Sequence, residues 1–314
     1  MSERKEGDFL YRTRIGIVHK PLSLEEVRVK ETGNIIELMH MTCKNRRCHI
    51  HKLDDEQYVD LKTGEVKEFV HMDSRADDLN GVRVSLARLR DYLNTNITDV
   101  TRCRWVTLTY AQPDGKPMTD TDRLYKDFKK FVMRFHYRYG AFEYIVAMEP
   151  QGSGSWHAHV VFIFPGKAPY IPNDEMAKIW GQGFTKTRRL DNVDNVGAYL
   201  TAYLGDMEIH EFCNLEDHPS GLFCKDVDYI DDDGKEQKKT YVKGGRIHLY
   251  PPNFNLYRCS RGIKKPVVSY MQEKDAEKKV SAATLTFQQT VVIEDPDTGF
   301  ENDISYRYYN SDRK

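Results

Sequence analysis

The stretch FEYIVAMEPQGSGSWHAHVVFIF, residues Phe142–Phe164, predicts a β-hairpin. Two runs rich in β-branched and aromatic residues flank PQGSGS, and glycine and serine between such runs are typical of a turn. Side chains alternate between the two faces of a strand, so His157 and His159 leave one face while Ala158 and Val160 leave the other. The apolar face can pack under helices, and two imidazoles then project together from the opposite face.

The segments around this hairpin predict an antiparallel sheet with flanking helices, an α+β fold. RWVTLTY, at 104–110, has the composition of a strand, and TDTDRLYKDFKKFVMRFHYRYG, at 119–140, is an amphipathic helix that Asp120 or Thr121 can cap. IPNDEMAKIWG predicts a short helix, GFTKTRRL a short strand, and VDNVGAYLTAYLGDMEI, at 193–209, a further helix.

Composition describes an ordinary globular chain. Of its 314 residues, 39% are hydrophobic and 30% charged, and basic clusters alternate with acidic blocks to a net charge of −1, which argues neither for nor against nucleic acid. No apolar run approaches the roughly 20 residues that span a bilayer, and the first residues lack the apolar core of a signal peptide. We therefore expect a cytoplasmic protein without a membrane partner, and six irregularly spaced cysteines predict reduced thiols.

Glu149 ends the strand that pairs with the histidine strand, and it can lie near both imidazoles. Glu149, His157 and His159 would then form a two-histidine, one-carboxylate metal site with open positions. Such a donor set suits Mg²⁺ or Mn²⁺ in the cell. The alternative is that the histidines form an ordinary surface or hydrogen-bonded pair and that Glu149 is a solvated carboxylate at a strand end.

Tyr199 and Tyr203 are four residues apart, so on a helix both hydroxyls leave the same face. Aromatic side chains at this spacing ordinarily belong to a core. Leu200 and Leu204, however, offer an alternative core face beside them and leave the tyrosine face free. A phenol with a pKa of about 10 is a poor nucleophile near neutral pH, and it becomes useful where a cation polarises a phosphodiester. Two such phenols would permit two consecutive transfers.

Three segments in this order resemble the motifs of the HUH endonucleases, in particular the rolling-circle replication initiators of plasmids and phages: WVTLTY, EPQGSGSWHAHVVF and VGAYLTAYLGD. The resemblance implies a ferredoxin-like core with a five-stranded antiparallel sheet, a divalent metal, a nick in single-stranded origin DNA, a 5′-phosphotyrosine intermediate and a free 3′-hydroxyl primer. The tyrosine motif follows the histidine motif, as in replication initiators, and the tyrosine pair resembles the two-tyrosine type. Residues Lys243 to Pro266 resemble a C-terminal segment of initiators from Gram-positive bacteria and their phages.

Carried over residue by residue, the resemblance makes Tyr199 the first nucleophile and Tyr203 the second. Many relatives carry lysine three residues after the nucleophilic tyrosine, where this chain has Ala202 and Asp206. The implied partners are single-stranded or hairpin origin DNA, a host helicase and a host DNA polymerase. The chain contains no Gly-rich phosphate loop for an ATPase of its own. The expected domains are an N-terminal extension at 1–98, a nicking and joining domain at 99–268 and a C-terminal tail at 269–314.

Several further residues are candidates for contacts with DNA. Thr107 and Thr109 share a strand face with Trp105, where they can touch phosphate or orient Glu149, although threonine is also simply a good strand former. The basic candidates are Arg102 and Arg104 beside that strand, and Lys186, Arg188 and Arg189, which could supply the charge of the missing lysine.

Two alternatives and one further site complete the predictions. CKNRRCHIH contains Cys43, Cys48, His49 and His51, which with Cys213 and Cys224 could bind a structural Zn²⁺ or could be free side chains of a basic loop. A regulator that binds origin DNA with reduced catalysis is the main alternative function. A histidine-triad nucleotide hydrolase is disfavoured because Val161 stands where its next histidine would be.

Overall fold

The computed structural model describes residues 14–18, 26–43, 50–69, 74–190, 195–201, 204–213, 224–230, 236–295 and 299–313. The strands in this part of the chain are β1 (Arg14–Val18), β2 (Glu26–Thr32), β3 (Ile35–Met41), β4 (Ile50–Lys52), β5 (Gln57–Asp60), β6 (Val66–Glu68), β7 (Cys103–Thr109), β8 (Glu143–Pro150), β9 (Trp156–Ile163), β10 (Thr185–Arg188), β11 (Met207–Glu208), β12 (Cys224–Ile230), β13 (Glu236–Val242), β14 (Tyr257–Cys259), β15 (Val267–Gln272), β16 (Thr284–Asp295) and β17 (Phe300–Asn310). The α-helices are α1 (Leu79–Asn96), α2 (Thr121–Tyr139), α3 (Asn173–Trp180), α4 (Val196–Thr201), α5 (Ile209–Cys213) and α6 (Glu273–Val280).

The chain divides into two compact units, Met1–His71 with Pro266–Lys314, and Met72–Lys265. The first unit contains a six-stranded antiparallel sheet in the order β1-β16-β17-β3-β2-β15 and a three-stranded sheet in the order β4-β5-β6. Helix α6 packs Ala276 and Val280 against the larger sheet. The predicted functional division at 98/99 and 268/269 stays a prediction, and the compact units begin and end at other residues.

The second unit is built on a five-stranded antiparallel sheet in the order β10-β7-β9-β8-β14. The predicted hairpin is its centre: β8 pairs with β9, and Glu149 lies directly opposite His157. Strand β7 pairs along the other side of β9, and β10 pairs with β7. The α+β prediction with a five-stranded sheet is thereby confirmed. A smaller sheet, β11-β13-β12, belongs to the same unit.

One face of the five-stranded sheet is covered by α2 and α3. Asp120 caps α2 by accepting bonds from the N–H groups of Asp122 and Arg123, which satisfies donors that a helix start leaves open. Gly140, with φ of 75°, ends the helix. The buried side chains of this core include those of α2 (Leu124, Phe128, Phe131, Phe135), α3 (Met176, Trp180) and β9 (Trp156, Ala158, Val160, Phe162).

The opposite face is covered in part by α1 and α4. Leu89 and Leu93 of α1 pack with Ile145 and Val161 of the sheet, and Val196 of α4 belongs to the same cluster. The side chains of Leu200 and Leu204 pack against this cluster, as predicted. His159 borders it, since it lines a small cavity together with both leucines. The residues that cover this face therefore extend as far as His159.

The predicted helix at 193–209 is wrong in its C-terminal part. Helix α4 ends its described course at Thr201, and Leu204 and Gly205 lie in a turn in which Gly205 has φ of 84°. Met207 and Glu208 form β11, which pairs with β13. The apolar periodicity continues through this segment, but a left-handed glycine interrupts a helix whatever the pattern around it. No helix among the described residues is long and apolar enough to cross a membrane.

Candidate active site

A row of side chains crosses the face of the sheet that carries the histidines. Ala147 lies opposite His159, His159 opposite Thr107, and Thr107 opposite Lys186. Paired residues of antiparallel strands share a face, so Lys186 lies on the face of the two histidines. The neighbouring row contains Glu149, His157 and Thr109, each opposite the next. The register thus brings together, on one face, residues from four strands.

Glu149 is the most connected residue of this site. Its carboxylate is buried, and Oε2 lies 3.2 Å from Nε2 of His159 and 3.3 Å from Nη1 of Arg246, while Oε1 accepts a 2.8 Å bond from the N–H of Gly205. Burial alone would raise the pKa of Glu149, but the hydrogen bond with His159, the charge of Arg246 and the Gly205 bond bring that pKa below its ordinary value. Glu149 is therefore held as a carboxylate.

His157 is partly buried, and its surroundings favour the neutral imidazole. Burial, reinforced by the charge of His159, lowers the pKa of His157 to about 4. Its Nε2 atom is buried and has no hydrogen-bond partner among the described residues. A neutral imidazole with an unused nitrogen is the form in which histidine binds a metal.

Thr107 contacts His159 rather than Glu149: its hydroxyl lies 3.3 Å from Nδ1 of His159. With Nε2–H donating to Glu149, the hydroxyl donates to Nδ1. In the tautomer that frees Nε2 for a metal, Nδ1–H donates to the same hydroxyl. A hydroxyl both donates and accepts, so Thr107 can orient the ring in either state.

The donor types of Glu149, His157 and His159 fit a divalent cation, and the partnerless Nε2 of His157 supports that fit. Within the described residues, no three His, Cys, Asp or Glu side chains stand in an arrangement that could hold a metal ion together. Binding would therefore require these side chains to turn toward a common point, away from the contacts that Glu149 makes with His159 and Arg246.

The predicted basic residues separate into two groups. Lys186 and Arg188 of the edge strand β10 are exposed, and the guanidinium of Arg188 lies 5.9 Å from the ring centre of Trp105. Arg189 is exposed beyond the strand. Lys186 and Arg188 extend the histidine face with positive charge, as a phosphate contact requires.

Arg102 and Arg104 are held by the main chain instead. Arg104 is buried, and its guanidinium donates to the carbonyls of Cys103, Ala168 and Pro169. Arg102 donates through Nε to the carbonyl of Phe164. Both residues thereby fasten the segment after β9 to the sheet, and any phosphate would compete with those carbonyls for Arg104.

Helix α4 carries Tyr199 and is fixed by α1. The buried Asn94 of α1 accepts a 2.7 Å bond from the N–H of Gly197, and its amide donates to Asn195. The helices approach so closely that a Cβ on Gly197 would lie 2.4 Å from the carbonyl oxygen of Arg90. Tyr199 belongs to α4 by its backbone, and Tyr203 lies outside the described residues.

The sequence patterns missed Arg246 and Asn94. Arg246 follows two glycines, and its N–H donates to the carbonyl of Gly205, the residue whose N–H binds Glu149. Gly205 could not be replaced freely, since a Cβ there would lie 2.6 Å from a carbon of Ile247. The glycine pair before Arg246 was the only local signal of this close packing.

The predicted zinc site remains a prediction. Cys43, Cys213 and Cys224 are free and exposed, and His51 is exposed in β4. Cys48 and His49 lie outside the described residues.

Residues 103–208 match the model of a family described as Replication-associated protein ORF2. The match begins with β7 and ends with β11, so it contains Glu149, both histidines, β10 and α4. It supports a replication initiator role for the chain and DNA as its partner. No curated protein and no solved structure shows significant similarity to the chain.

Proposed function

We propose that the protein is a rolling-circle replication initiator that nicks and rejoins single-stranded origin DNA through a 5′-phosphotyrosine intermediate. The observation that carries the proposal is the polar face of the five-stranded sheet, where Glu149, His157 and His159 share a face with the basic edge strand β10, from which β7 separates them. This face lies inside the segment that matches the replication-associated family. A cationic edge strand on the same face as a cluster of metal-binding residue types suits a phosphodiester substrate.

Tyr199 is the proposed nucleophile. A bond forms between its phenolic oxygen and the phosphorus, the bond from phosphorus to O3′ breaks, and the phenolic proton is lost while O3′ ends as a hydroxyl. Tyr203 repeats this transfer on a second strand. Mg²⁺ or Mn²⁺, when bound by Glu149, His157 and His159, would polarise the scissile phosphate.

The charge of the missing lysine comes from other residues in this proposal. Lys186 shares its face with His159 through Thr107 and is exposed toward solvent. Arg246 lies at Glu149 itself and lowers the negative charge of the site by one unit. Lys186 is thus the candidate for the phosphate, and Arg246 the candidate for holding Glu149 in place.

The test uses single-stranded oligonucleotides taken from inverted repeats in the DNA that flanks the reading frame, incubated with Mn²⁺. A 3′-labelled oligonucleotide should become covalently attached to the protein, whereas a 5′-labelled one should yield a shortened product with a free 3′-hydroxyl. Tyr199→Phe should abolish the first adduct, and Tyr137→Phe, a change at an exposed tyrosine of α2, should not. Loss of the adduct in Tyr203→Phe but not in Tyr199→Phe reverses the order of the nucleophiles. An adduct formed by the double variant refutes both assignments.

A second candidate function is an origin-binding regulator with reduced catalysis. The observation that favours it is that the Glu149 carboxylate already has partners within the protein, the guanidinium of Arg246 and a ring nitrogen of His159. Such a protein would bind hairpin DNA equally well with Mn²⁺ and with a chelator, and it would give no adduct with either label.

A host helicase and a host DNA polymerase in the cytoplasm would complete the proposed reaction. The free 3′-hydroxyl is the primer that a polymerase extends, and the strand must be displaced by an enzyme with an ATPase. Purified initiator should therefore nick alone but support strand synthesis only with both added.

A further inference from the structure

A cavity of about 520 Å³ opens beside β14, on the edge of the sheet opposite β10. We call it the β14 cleft. Among the described residues, five cationic side chains line it and no Asp or Glu does: Arg75, Arg88, Arg258, Arg261 and Lys265. A concave surface with one sign of charge concentrates ligands of the opposite sign.

Most of this charge is available to a ligand. Arg88, Arg258, Arg261 and Lys265 are exposed, and none of them forms an ion pair with a residue in the described part of the chain. Arg75 differs, because its Nη1 atom lies 3.2 Å from Asp78. The cleft therefore carries four positive charges that form no ion pair with a carboxylate of the described residues.

Aromatic rings accompany the charges. Tyr92 of α1 and Tyr257 of β14 line the cleft, with ring centres 5.9 Å apart and planes inclined by 52°. Arg258 stacks on Tyr125, with its guanidinium carbon 3.7 Å from the ring centre. Rings and cations interleaved along a groove are the combination that binds unpaired bases and their phosphates.

The positive surface continues past Arg258. A second cavity of about 430 Å³ shares Arg258 with the cleft and is lined by Lys126 and Lys129 of α2. No Asp or Glu of the described segments lines this cavity either. The two cavities meet at Arg258, and two basic cavities that share a cation suit a linear polyanion better than a single phosphate.

The cleft is preformed by hydrogen bonds that fix its outer wall. The carboxylate of Glu143 accepts bonds from the hydroxyl of Ser260 and from the N–H of Gly262. The amide of Asn96 donates to the carbonyl of Lys264 and accepts from its N–H. These bonds fix the segment that presents Arg261 and Lys265 against α1, so a ligand would meet an ordered surface.

We propose that the β14 cleft is a second binding site for single-stranded DNA, distinct from the candidate active site and independent of nicking. The cations contact phosphates, and Tyr92 and Tyr257 contact bases. A duplex hides its base faces, so the rings favour an unpaired strand. The inference rests on the proposed function only in choosing DNA over another polyanion.

The test measures binding of a fluorescein-labelled oligo(dT) to the full chain by anisotropy, with a chelator present so that no nick can form. The variant Arg88→Gln/Arg261→Gln removes two charges of the cleft. The matched control Arg83→Gln/Lys167→Gln removes two exposed charges outside both cavities. Thermal unfolding of each variant checks that the fold is kept.

The cleft variant should bind at least about ten-fold more weakly at about 0.1 M salt, and its plot of log K against log salt should be flatter by about 1.4. The control should match the wild type. Equal binding by the cleft variant and the wild type overturns the proposal, as does an equal loss in the control. Equally tight, equally cleft-dependent binding of a duplex refutes the preference for single strands. Nicking is scored separately, so its absence with cleft-dependent binding would contradict the proposed function alone.

Discussion

At the scale of single residues, Arg102 and Arg104 resemble the basic residues of β10 in the sequence, but their surroundings differ. Arg104 is surrounded by carbonyls, whereas Arg188 is exposed beside Trp105. A charge on a strand is ordinarily solvated, and nothing in the local pattern reveals that the chain after β9 returns to cover Arg104. Burial of a single charge depends on residues some sixty positions away, which local patterns do not encode.

We expect Arg104→Gln to lower the free energy of unfolding by about 3 kcal/mol, because the carbonyls that accept hydrogen bonds from Arg104 lose charged donors inside the protein. Arg188→Gln should change that free energy by less than about 0.5 kcal/mol and should instead flatten the salt dependence of single-strand binding by about 0.7. Urea unfolding and anisotropy measure the two effects. An Arg104→Gln protein of unchanged stability would contradict the structural role.

Cys103, which is buried, and Cys259, which is half-buried, give a prediction about thiol reactivity. Burial raises the pKa of Cys103 to about 12 and that of Cys259 to about 11. A raised pKa keeps the thiol protonated, so little reactive thiolate exists at pH 8, and the fraction rises as the pH approaches the shifted value. In native protein we expect iodoacetamide to modify exposed Cys43, Cys213 and Cys224 well before Cys103. Peptide mass spectrometry after timed alkylation, with and without denaturant, measures this order.

At the scale of elements, periodicity predicted the hairpin, α2 and α3 because each buries a regular face against the sheet. The same rule failed at α4, where an apolar pattern continues through a left-handed Gly205. The contact that fixes α4 also escaped prediction, since Asn94 and Gly197 are 103 residues apart. The shared face of Glu149, His157 and His159 could be predicted because it follows from strand alternation, whereas Arg246 reaches Glu149 from a loop.

Gly197→Ala tests the contact that fixes α4, the helix of the proposed nucleophile Tyr199, against α1. The added Cβ would meet the carbonyl oxygen of Arg90, so α4 must shift away from α1, and overpacking of this kind costs about 1–3 kcal/mol. We expect a lower yield of the tyrosyl adduct, with single-strand binding retained. Gly166→Ala, where a Cβ meets open space, is the control. Wild-type stability and adduct yield in Gly197→Ala would show that the helices can separate without consequence.

At the scale of the whole molecule, α1 belongs to the unit that contains the candidate active site. Leu89 and Leu93 of α1 are buried against the sheet. A division after residue 98 would separate both leucines from that sheet. A fragment of residues 72–265 should therefore unfold cooperatively. A fragment of residues 99–268 should lose about 3–6 kcal/mol of the free energy of unfolding, because it lacks the apolar burial of these two leucines. That loss is comparable to the whole stability of a small domain.

Circular dichroism and urea unfolding of the two fragments measure this difference, with the full chain as the reference. Equal cooperativity of both fragments would mean that α1 is dispensable for folding. In that case the predicted nicking domain at 99–268 would be the correct folding unit.

The pairing of residues across the five-stranded sheet also limits where single residues can be inserted or deleted. One residue added between His157 and Ala158 would exchange the faces of the residues that follow it, burying the imidazole of His159 under α2 and turning Ala158 and Val160 outward. The turn at 151–154 has no such constraint, since an added residue there leaves the pairing of β8 with β9 intact. Small insertions and deletions should therefore survive in that turn and be eliminated a few codons later.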